Sequence, residues 1–141
     1  MTVERNKKLI RRFDAGVAAG DVNALDELCT QDMVNHALAR DRPKGLEGTR
    51  EFVRTGMPQF QGDDWADSVM VAEGDYVVQF GVRAGTWRGG PFLGFDVNPG
   101  PYSRHVAFCY RIQDGKIAER WAMRDDLTML RQLGAFLTTQ P

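Results

Sequence analysis

The chain has 141 residues, the length of one ordinary domain, and 43% of them are hydrophobic, which is enough to form a substantial core. A net charge of −1 and a pI near 6.1 exclude the strongly basic surface of proteins that bind nucleic acid or anionic membranes. No apolar run approaches the ~20 residues of a membrane-spanning helix, and the charged N-terminus lacks the apolar core of a signal peptide.

The two cysteines do not form a disulfide framework. Cys29 and Cys109 are far apart in apolar segments, which predicts buried thiols in a reducing cytoplasm. The chain has no Cys and His spacing typical of a metal site and no Gly-rich phosphate-binding loop. We therefore expect a cytoplasmic protein without a metal.

The first part of the chain is predicted to be helical. Residues 3–19 carry apolar side chains at helical spacing, and Gly20 can end this helix. Asp21 or Asn23 can cap a shorter helix, and residues 32–36 are predicted to be extended. A third helix is predicted from about 46 to 60. Its inward-facing residues would be Phe52, Val53, Met57 and Phe60.

The second part is predicted to form a sheet. Residues 65–73 and 76–87 are typical of strands, and glycines at 81 and 85 indicate bends or bulges in the second of them. The apolar, Gly- and Pro-rich loop over 89–101 is expected to be a lid or an interface. Two further strands flank Asp114-Gly115, a strong hairpin signal, and a last helix spans 126–133.

This order of elements predicts an α+β fold. Helices would cover one face of a bent, mainly antiparallel sheet and form a cone-shaped barrel with an open end. There are no internal repeats and no linker. We therefore expect one domain over residues 1–141.

The C-terminal half resembles the SnoaL-like polyketide cyclases. The resemblance is carried by Tyr110-Arg111-Ile112, Asp114 to Ile117, Glu119, Trp121, Asp125 and Leu130 to Gly134. The N-terminal helices, Asn35 and the Gly85 to Trp87 turn also fit. This family belongs to the superfamily of nuclear transport factor two, ketosteroid isomerase and limonene epoxide hydrolase.

The resemblance implies a cofactor-free, usually dimeric protein with an apolar pocket between sheet and helices. In the cyclases an Asp and a His move protons during an intramolecular aldol closure of an aromatic polyketide ester. The matching positions here are Ala122 and Phe108, neither of which can transfer a proton. We expect a homodimer that pairs through Phe108, Tyr110 and Ile112.

His105 and Asp125 are the leading candidates for acid–base catalysis. His105 shares a strand face with small residues, which would leave room for a ligand if that face lines the cavity. The alternative is a partly buried histidine at the sheet edge. Asp125 would have a raised pKa inside an apolar cavity, or it would cap the last helix. If both roles are filled, Asp126 would be the cap and Asp125 the pocket group.

His36 and Asn35 could polarise a ligand oxygen at the mouth of the cone. The alternative is an ordinary pair of polar residues at a strand end. The predicted walls of the pocket are Trp65, Trp87 and Trp121, although core packing would also explain each tryptophan. Arg83 could bind a ligand carboxylate or form a surface ion pair.

Three functions remain open from the sequence. The first is proton-transfer chemistry, an isomerisation, cyclisation or hydration, on an apolar, cyclic or polyketide-like metabolite. The second is epoxide opening by water, and the third is a non-catalytic pocket that binds a ligand. In none of them is nucleic acid or a membrane expected as a partner.

Overall fold

The computed structural model describes residues 2–136, which form four helices and five strands. The helices are α1 (Thr2–Ala19), α2 (Val22–Leu28), α3 (Leu46–Glu51) and α4 (Asp126–Gln132). The strands are β1 (Cys29–Asn35), β2 (Phe60–Glu73), β3 (Tyr76–Trp87), β4 (Gly100–Gln113) and β5 (Lys116–Arg124). This arrangement confirms the predicted α+β fold.

The strands form one open sheet in the order β1-β5-β4-β3-β2. Every neighbouring pair is antiparallel except β1 and β5, which are parallel. The β4–β5 hairpin turns through Asp114 and Gly115, both with positive φ, as a two-residue type I′ turn requires. The hairpin predicted from Asp-Gly is thus confirmed.

The main core lies between the sheet and the N-terminal helices. Phe13 of α1 packs edge-on against Tyr110 of β4, with ring centroids 5.8 Å apart. Phe108, Tyr110 and Ile112 are all buried on this helix-covered face of the sheet, which we call the inner face. The prediction that these three residues form a dimer surface is therefore wrong. The helices pack against these bulky side chains.

The third helix is shorter than predicted. Regular α-helix ends at Glu51, a wider π-helical turn follows over Phe52–Gly56, and one 3-10 turn covers Met57–Gln59. Pro58 lies in that last turn, where its missing N–H and fixed φ disfavour continued α-helix. Strand β2 then begins at Phe60, five residues earlier than the predicted start at Trp65.

Bulges decide which side chains face inward. The register shifts in β5 where Arg111 pairs with Glu119 but Ile112 pairs with Ile117, so Ala118 is an extra residue. Ile117 is buried, yet Glu119 two residues later lies on the opposite, outer face. Strand β2 also shifts register opposite the segment between Gly81 and Gly85, where the sequence predicts bends.

A smaller cluster closes the other end of the sheet. It joins α4, β3, β4 and the loop between them through Trp87, Phe92, Tyr102, Met129, Leu130 and Leu133. Phe92 and Phe95 bridge within the loop, and Asn98 N–H donates to the Leu133 carbonyl. The apolar loop is therefore tied down onto the last helix.

The outer face of the sheet carries exposed apolar residues. In the register, Val69, Phe80, Ala107 and Met123 form one row across four strands, and Val71, Val78, Cys109 and Trp121 form the next. Cys109 is only half-buried there, whereas Cys29 is buried as predicted. No helix in residues 2–136 has the length and apolar character needed to cross a membrane.

Candidate functional site

A cavity of about 800 Å³ lies between the inner face of the sheet and the helices. Strands β2 to β5 form its floor, while α1, the segment 49–57 and the loop 36–42 form its walls. Apolar side chains cover most of the lining: Phe13, Val17, Phe52, Val53, Phe60, Trp65, Trp87, Phe92, Val106 and Phe108. The size and character suit an apolar ligand of several rings.

Asp14 of α1 is a carboxylate on this largely apolar lining. The Gln79 side-chain amide, oriented with its nitrogen toward α1, donates to Asp14 Oδ2 at 2.8 Å and accepts from Trp65 Nε1 at 3.2 Å. Burial raises the pKa of Asp14, although Arg83 and Arg120 act in the opposite direction. No guanidinium of the described residues is close enough to form an ion pair with it.

Two arginines on the cavity floor are neutralised. Arg83 Nε donates to Asp63 Oδ1 at 2.6 Å, and Tyr102 donates its hydroxyl proton to the same carboxylate. The guanidinium of Arg104 pairs with Asp126. These contacts hold both carboxylates as ion-pair partners, so neither is free to accept a substrate proton.

Two further arginines, both on β5, have no carboxylate partner among residues 2–136. Arg120 lies with its guanidinium carbon 4.1 Å from the centre of the Phe108 ring and donates to Tyr110 Oη at 3.3 Å. Arg124 donates to the carbonyl of Ala37 at 3.3 Å. Burial and the neighbouring charges of Arg120 and Arg104 lower the pKa of Arg124 to about 10, so it stays cationic at neutral pH.

Two of the three predicted tryptophan walls lie in the cavity. Trp65 packs edge-on against Phe108 at 5.7 Å and is covered by the Arg83 guanidinium at 4.8 Å. Trp87 is buried and donates its indole N–H to the Gly90 carbonyl at 2.9 Å. Trp121 is on the outer face instead, because the bulge at Ala118 turns it there.

His105 does not line the cavity. On β4 the residues on either side of it, Arg104 and Val106, are buried on the inner face, and His105 is exposed on the outer one. The condition set for a catalytic His105, that its strand face lines the cavity, is therefore not met, because the small side chains beside it lie on the outer face. The cavity lies over the bulky face, where helices meet those residues.

Of the two roles considered for Asp125, pocket acid and helix cap, the structure shows the cap. Asp125 is the N-cap of α4: it accepts from Thr128 N–H at 3.1 Å and from the Thr128 hydroxyl at 2.6 Å. These hydrogen bonds lower the pKa of Asp125. It does not line the cavity, whereas Asp126 does. Asp125 is therefore a cap and not a pocket acid with a raised pKa.

His36 and Asn35 lie at and below the rim. The His36 backbone follows β1 to the cavity edge, but its ring stacks on Trp121 at 5.3 Å and its Nε2 lies 2.7 Å from Glu119. Asn35 is buried and donates to Thr49 Oγ1 at 3.1 Å while accepting from Ala37 N–H. Asn35 thus braces the cavity wall rather than facing a ligand.

Comparison with known proteins fits this architecture. The family model described as SnoaL-like polyketide cyclase matches residues 7–133. The chain belongs to the SnoaL-like polyketide cyclase family. No curated protein sequence is similar enough to count as a relative.

Solved structures extend the match over nearly the whole chain. TsrD from Streptomyces laurentii has a TM-score of 0.78 and 27% identity, with 94% of this chain and 97% of that chain covered. IdmH, a candidate polyketide cyclase from Streptomyces antibioticus, has a TM-score of 0.74 and 27% identity, with 92% and 98% covered. A candidate SnoaL-like polyketide cyclase from Jannaschia sp. CCS1 shares the fold, with a TM-score of 0.80, 19% identity and 94% of each chain covered.

The positions where the resemblance implies the cyclase acid and base are directly opposite one another. Phe108 of β4 pairs with Ala122 of β5, and Phe108 lines the cavity. Both side chains are apolar. Proton transfer in this cavity would therefore need another residue. Asp14 is connected to the same floor, because Gln79 hydrogen-bonds to both Asp14 and Trp65, and Trp65 contacts Phe108.

Sequence reasoning missed Asp14, Arg120 and Arg124. Asp14 is four residues after Ile10 and three before Val17, which puts a carboxylate on the apolar face of α1. A carboxylate on an otherwise apolar helix face was the sequence signal that could have identified Asp14. The two arginines alternate on β5 with outward residues, but their direction depends on a bulge that the sequence does not reveal. Among the described residues no cluster of His, Cys, Asp and Glu suits a metal ion.

Proposed function

We propose that this protein catalyses a cofactor-independent isomerisation or cyclisation of a polyketide-like, cyclic metabolite, with Asp14 as the proton acceptor. The observation that carries the proposal is a carboxylate with a raised pKa, free of ion pairs, on the lining of a large aromatic cavity. A base whose pKa has moved toward neutrality both accepts and returns protons efficiently. Family membership supports the reaction class.

The chemistry follows from the charges around Asp14. Its carboxylate would take a proton from a carbon next to a ligand carbonyl, and the C–H electron pair would form an enolate. Arg120 would donate to the enolate oxygen, since it lies near Asp14 and has no carboxylate of its own. The enolate carbon would then attack a second carbonyl or be reprotonated elsewhere. Asp14 would return its proton to the product.

The walls favour flat, apolar substrates. Trp65, Trp87 and Phe60 present aromatic surfaces, and Phe108 forms the floor between the strands. Arg83, held by Asp63 and stacked on Trp65, would fix that indole rather than bind the ligand. Trp65 and Trp87 are therefore the proposed substrate-binding residues, and Asp14 is the proposed base instead of His105 or Asp125.

A bicyclic ketone can test the base without knowledge of the natural substrate. Exchange of the acidic C1 protons of 2-tetralone in deuterated buffer can be followed by proton NMR, with the uncatalysed rate subtracted. Wild-type protein is expected to accelerate the exchange. Asp14→Asn is expected to lower the catalysed rate at least about 100-fold, since a single general base contributes about that much.

His105→Gln is the matched control because His105 is exposed outside the cavity. It should retain the wild-type rate if the variant is folded. A wild-type protein that does not accelerate exchange, or an Asp14→Asn variant that still does, would contradict the proposal. The first outcome would favour a pocket that only binds its ligand.

We also propose that the protein pairs as a homodimer through the outer face of the sheet. The two apolar rows across β2 to β5 include Phe80, 43% exposed, and Met123, 70% exposed. Beside them Arg111 and Glu119 form an ion pair at 3.1 Å, a polar margin that a two-fold copy can complement. An exposed apolar sheet face of this kind is typical of an interface.

A further inference from the structure

The lining of the cavity carries more positive than negative charge. Six arginines line it, Arg40, Arg42, Arg83, Arg104, Arg120 and Arg124, against five aspartates, Asp14, Asp41, Asp63, Asp64 and Asp126. Asp63 and Asp126 are each in contact with one arginine. Asp14 interacts electrostatically with Arg83 and Arg120. Arg124 forms no ion pair within residues 2–136, and Asp126 and Asp63 act on its charge only from a longer distance.

Holding the Arg124 guanidinium out of water costs free energy unless a bound ligand supplies an opposite charge. Removing a cation from water without an ion-pair partner is unfavourable, and within residues 2–136 the Arg124 side chain has one acceptor, the Ala37 carbonyl at 3.3 Å. The fully buried polar atoms that lack a partner in residues 2–136 are Thr30 Oγ1 and Arg104 Nε. The remaining N–H groups of Arg124 therefore still have access to the cavity space.

The surroundings of Arg124 suit a carboxylate. Its guanidinium carbon lies 5.7 Å from the centre of the Phe108 ring, on which Arg120 also packs at 4.1 Å. The two cations are thus less than about 10 Å apart, which is the sum of these two distances. A planar guanidinium with free N–H groups binds a carboxylate through two parallel hydrogen bonds.

We propose that the cavity binds ligands that carry a free carboxylate, held by Arg124, on an apolar ring system that extends toward Asp14 and Arg120. This inference rests on the proposed function only for the role of Asp14. It names the substrate class as a keto acid rather than a neutral ketone or an ester. The acid group would sit at Arg124 while the reacting carbonyl faces Arg120.

Binding of two matched probes tests the charge requirement. Calorimetric titration at neutral pH would compare 2-naphthoate with 2-naphthamide, which differ in charge but hardly in shape. Wild-type protein is expected to bind the acid at least about tenfold more tightly, as charge-assisted hydrogen bonds require. Equal affinity for the two probes, or no binding of either at millimolar concentration, would overturn the proposal without reference to any variant.

Variants locate the anion. Arg124→Gln is expected to remove most of the preference for the acid, and Arg124→Lys to restore part of it. Arg11→Gln, an exposed arginine of α1, is the matched control and should keep the preference. A full preference in Arg124→Gln would place the anion elsewhere and contradict the proposal.

Asp14→Asn separates this inference from the proposed function. It removes a negative charge from the cavity, so naphthoate should bind it at least as tightly as wild type. If Asp14→Asn keeps both tight binding and proton exchange, the catalytic proposal fails and the carboxylate site stands. If exchange depends on Asp14 but the two naphthalene probes bind equally, the reverse holds.

Discussion

At the scale of single residues, the proposed chemistry depends on charges that lie on apolar surfaces. Asp14 lies on the apolar face of α1, and Arg120 and Arg124 lie among the aromatic rings of the cavity floor. Each is costly for folding when no ligand is present. Charges retained at such positions are typical of functional sites.

Asp14 should therefore destabilise the folded protein at neutral pH. Its pKa is raised on folding, so the folded state binds the proton more tightly than the unfolded state. Stability must then fall as the pH rises from 3.8, the ordinary aspartate value, through the higher folded pKa. Asp14→Asn is expected to increase the free energy of unfolding at pH 7 in urea titrations, and the gain should disappear in acid.

Asp32→Asn is the control for that experiment. Asp32 is exposed on β1, and its substitution removes the same formal charge. It should change the free energy of unfolding little. A loss of stability in Asp14→Asn at pH 7 would mean that the arginines dominate over burial, and Asp14 would then be a structural ion-pair partner.

The sequence could predict the residue types of the site better than their positions. It predicted Trp65, Trp87 and Arg83 as pocket residues, and all three line the cavity. It placed no constraint on the direction of His105, because alternation shows which residues share a face but not which face the helices cover. The bulky side chains of Phe108 and Tyr110 mark the covered face, since they belong to the buried core beneath the N-terminal helices.

At the scale of elements, the N-cap of α4 separates a structural role from a catalytic one. Asp125→Ala removes the acceptor for Thr128 N–H and should lower the urea midpoint. Asp125→Asn keeps a side-chain oxygen at the cap and should stay close to wild type in stability. Both variants should retain tetralone exchange. Loss of exchange in a folded Asp125→Asn variant would restore the predicted catalytic role.

Close contact between β2 and β3 depends on Gly85. A Cβ there would lie 2.8 Å from Tyr102 Oη and 2.9 Å from the Gln61 carbonyl. Gly85→Ala is expected to cost about 1–3 kcal/mol in free energy of unfolding, as overpacking does. Gly45→Ala, whose Cβ would meet only the Met33 carbonyl at 3.6 Å, is the control. Equal stability of the two variants would show that β2 can move away from β3.

Element types were predictable and element ends were not. The alternation over 76–87 and the Asp114-Gly115 turn are local signals, and both strands and turn form as predicted. The end of α3 is set by the π-helical turn at Phe52–Gly56 and by Pro58, and the early start of β2 by pairing of Phe60 with Trp87. That pairing joins residues far apart in sequence, so no local pattern predicts it.

At the scale of the whole molecule, the two faces of the sheet differ in what covers them. The inner face carries the cavity, and the outer face carries the apolar rows that include Phe80 and Met123. Phe80→Glu combined with Met123→Glu is expected to convert a dimer into a monomer in sedimentation velocity, because buried like charges would face each other across the two-fold axis. The cavity should remain intact.

Leu127→Glu is the matched control, since Leu127 is equally apolar and 51% exposed but lies on α4. It should leave the sedimentation coefficient unchanged. A wild-type protein that sediments as a monomer at micromolar concentration would contradict the proposed interface.

The pH dependence of 2-tetralone exchange, compared between wild type, Asp14→Asn and His105→Gln, tests the location of the chemistry most directly. Titratable and charged groups that face Asp14 are Arg83 from β3, Arg120 from β5 and Tyr110 from β4. We expect the wild-type rate to rise with pH through a single midpoint above 3.8, the rate of Asp14→Asn to equal the uncatalysed rate throughout, and His105→Gln to reproduce the wild-type curve. A curve that survives in Asp14→Asn, or is lost in His105→Gln, would place the chemistry outside the cavity.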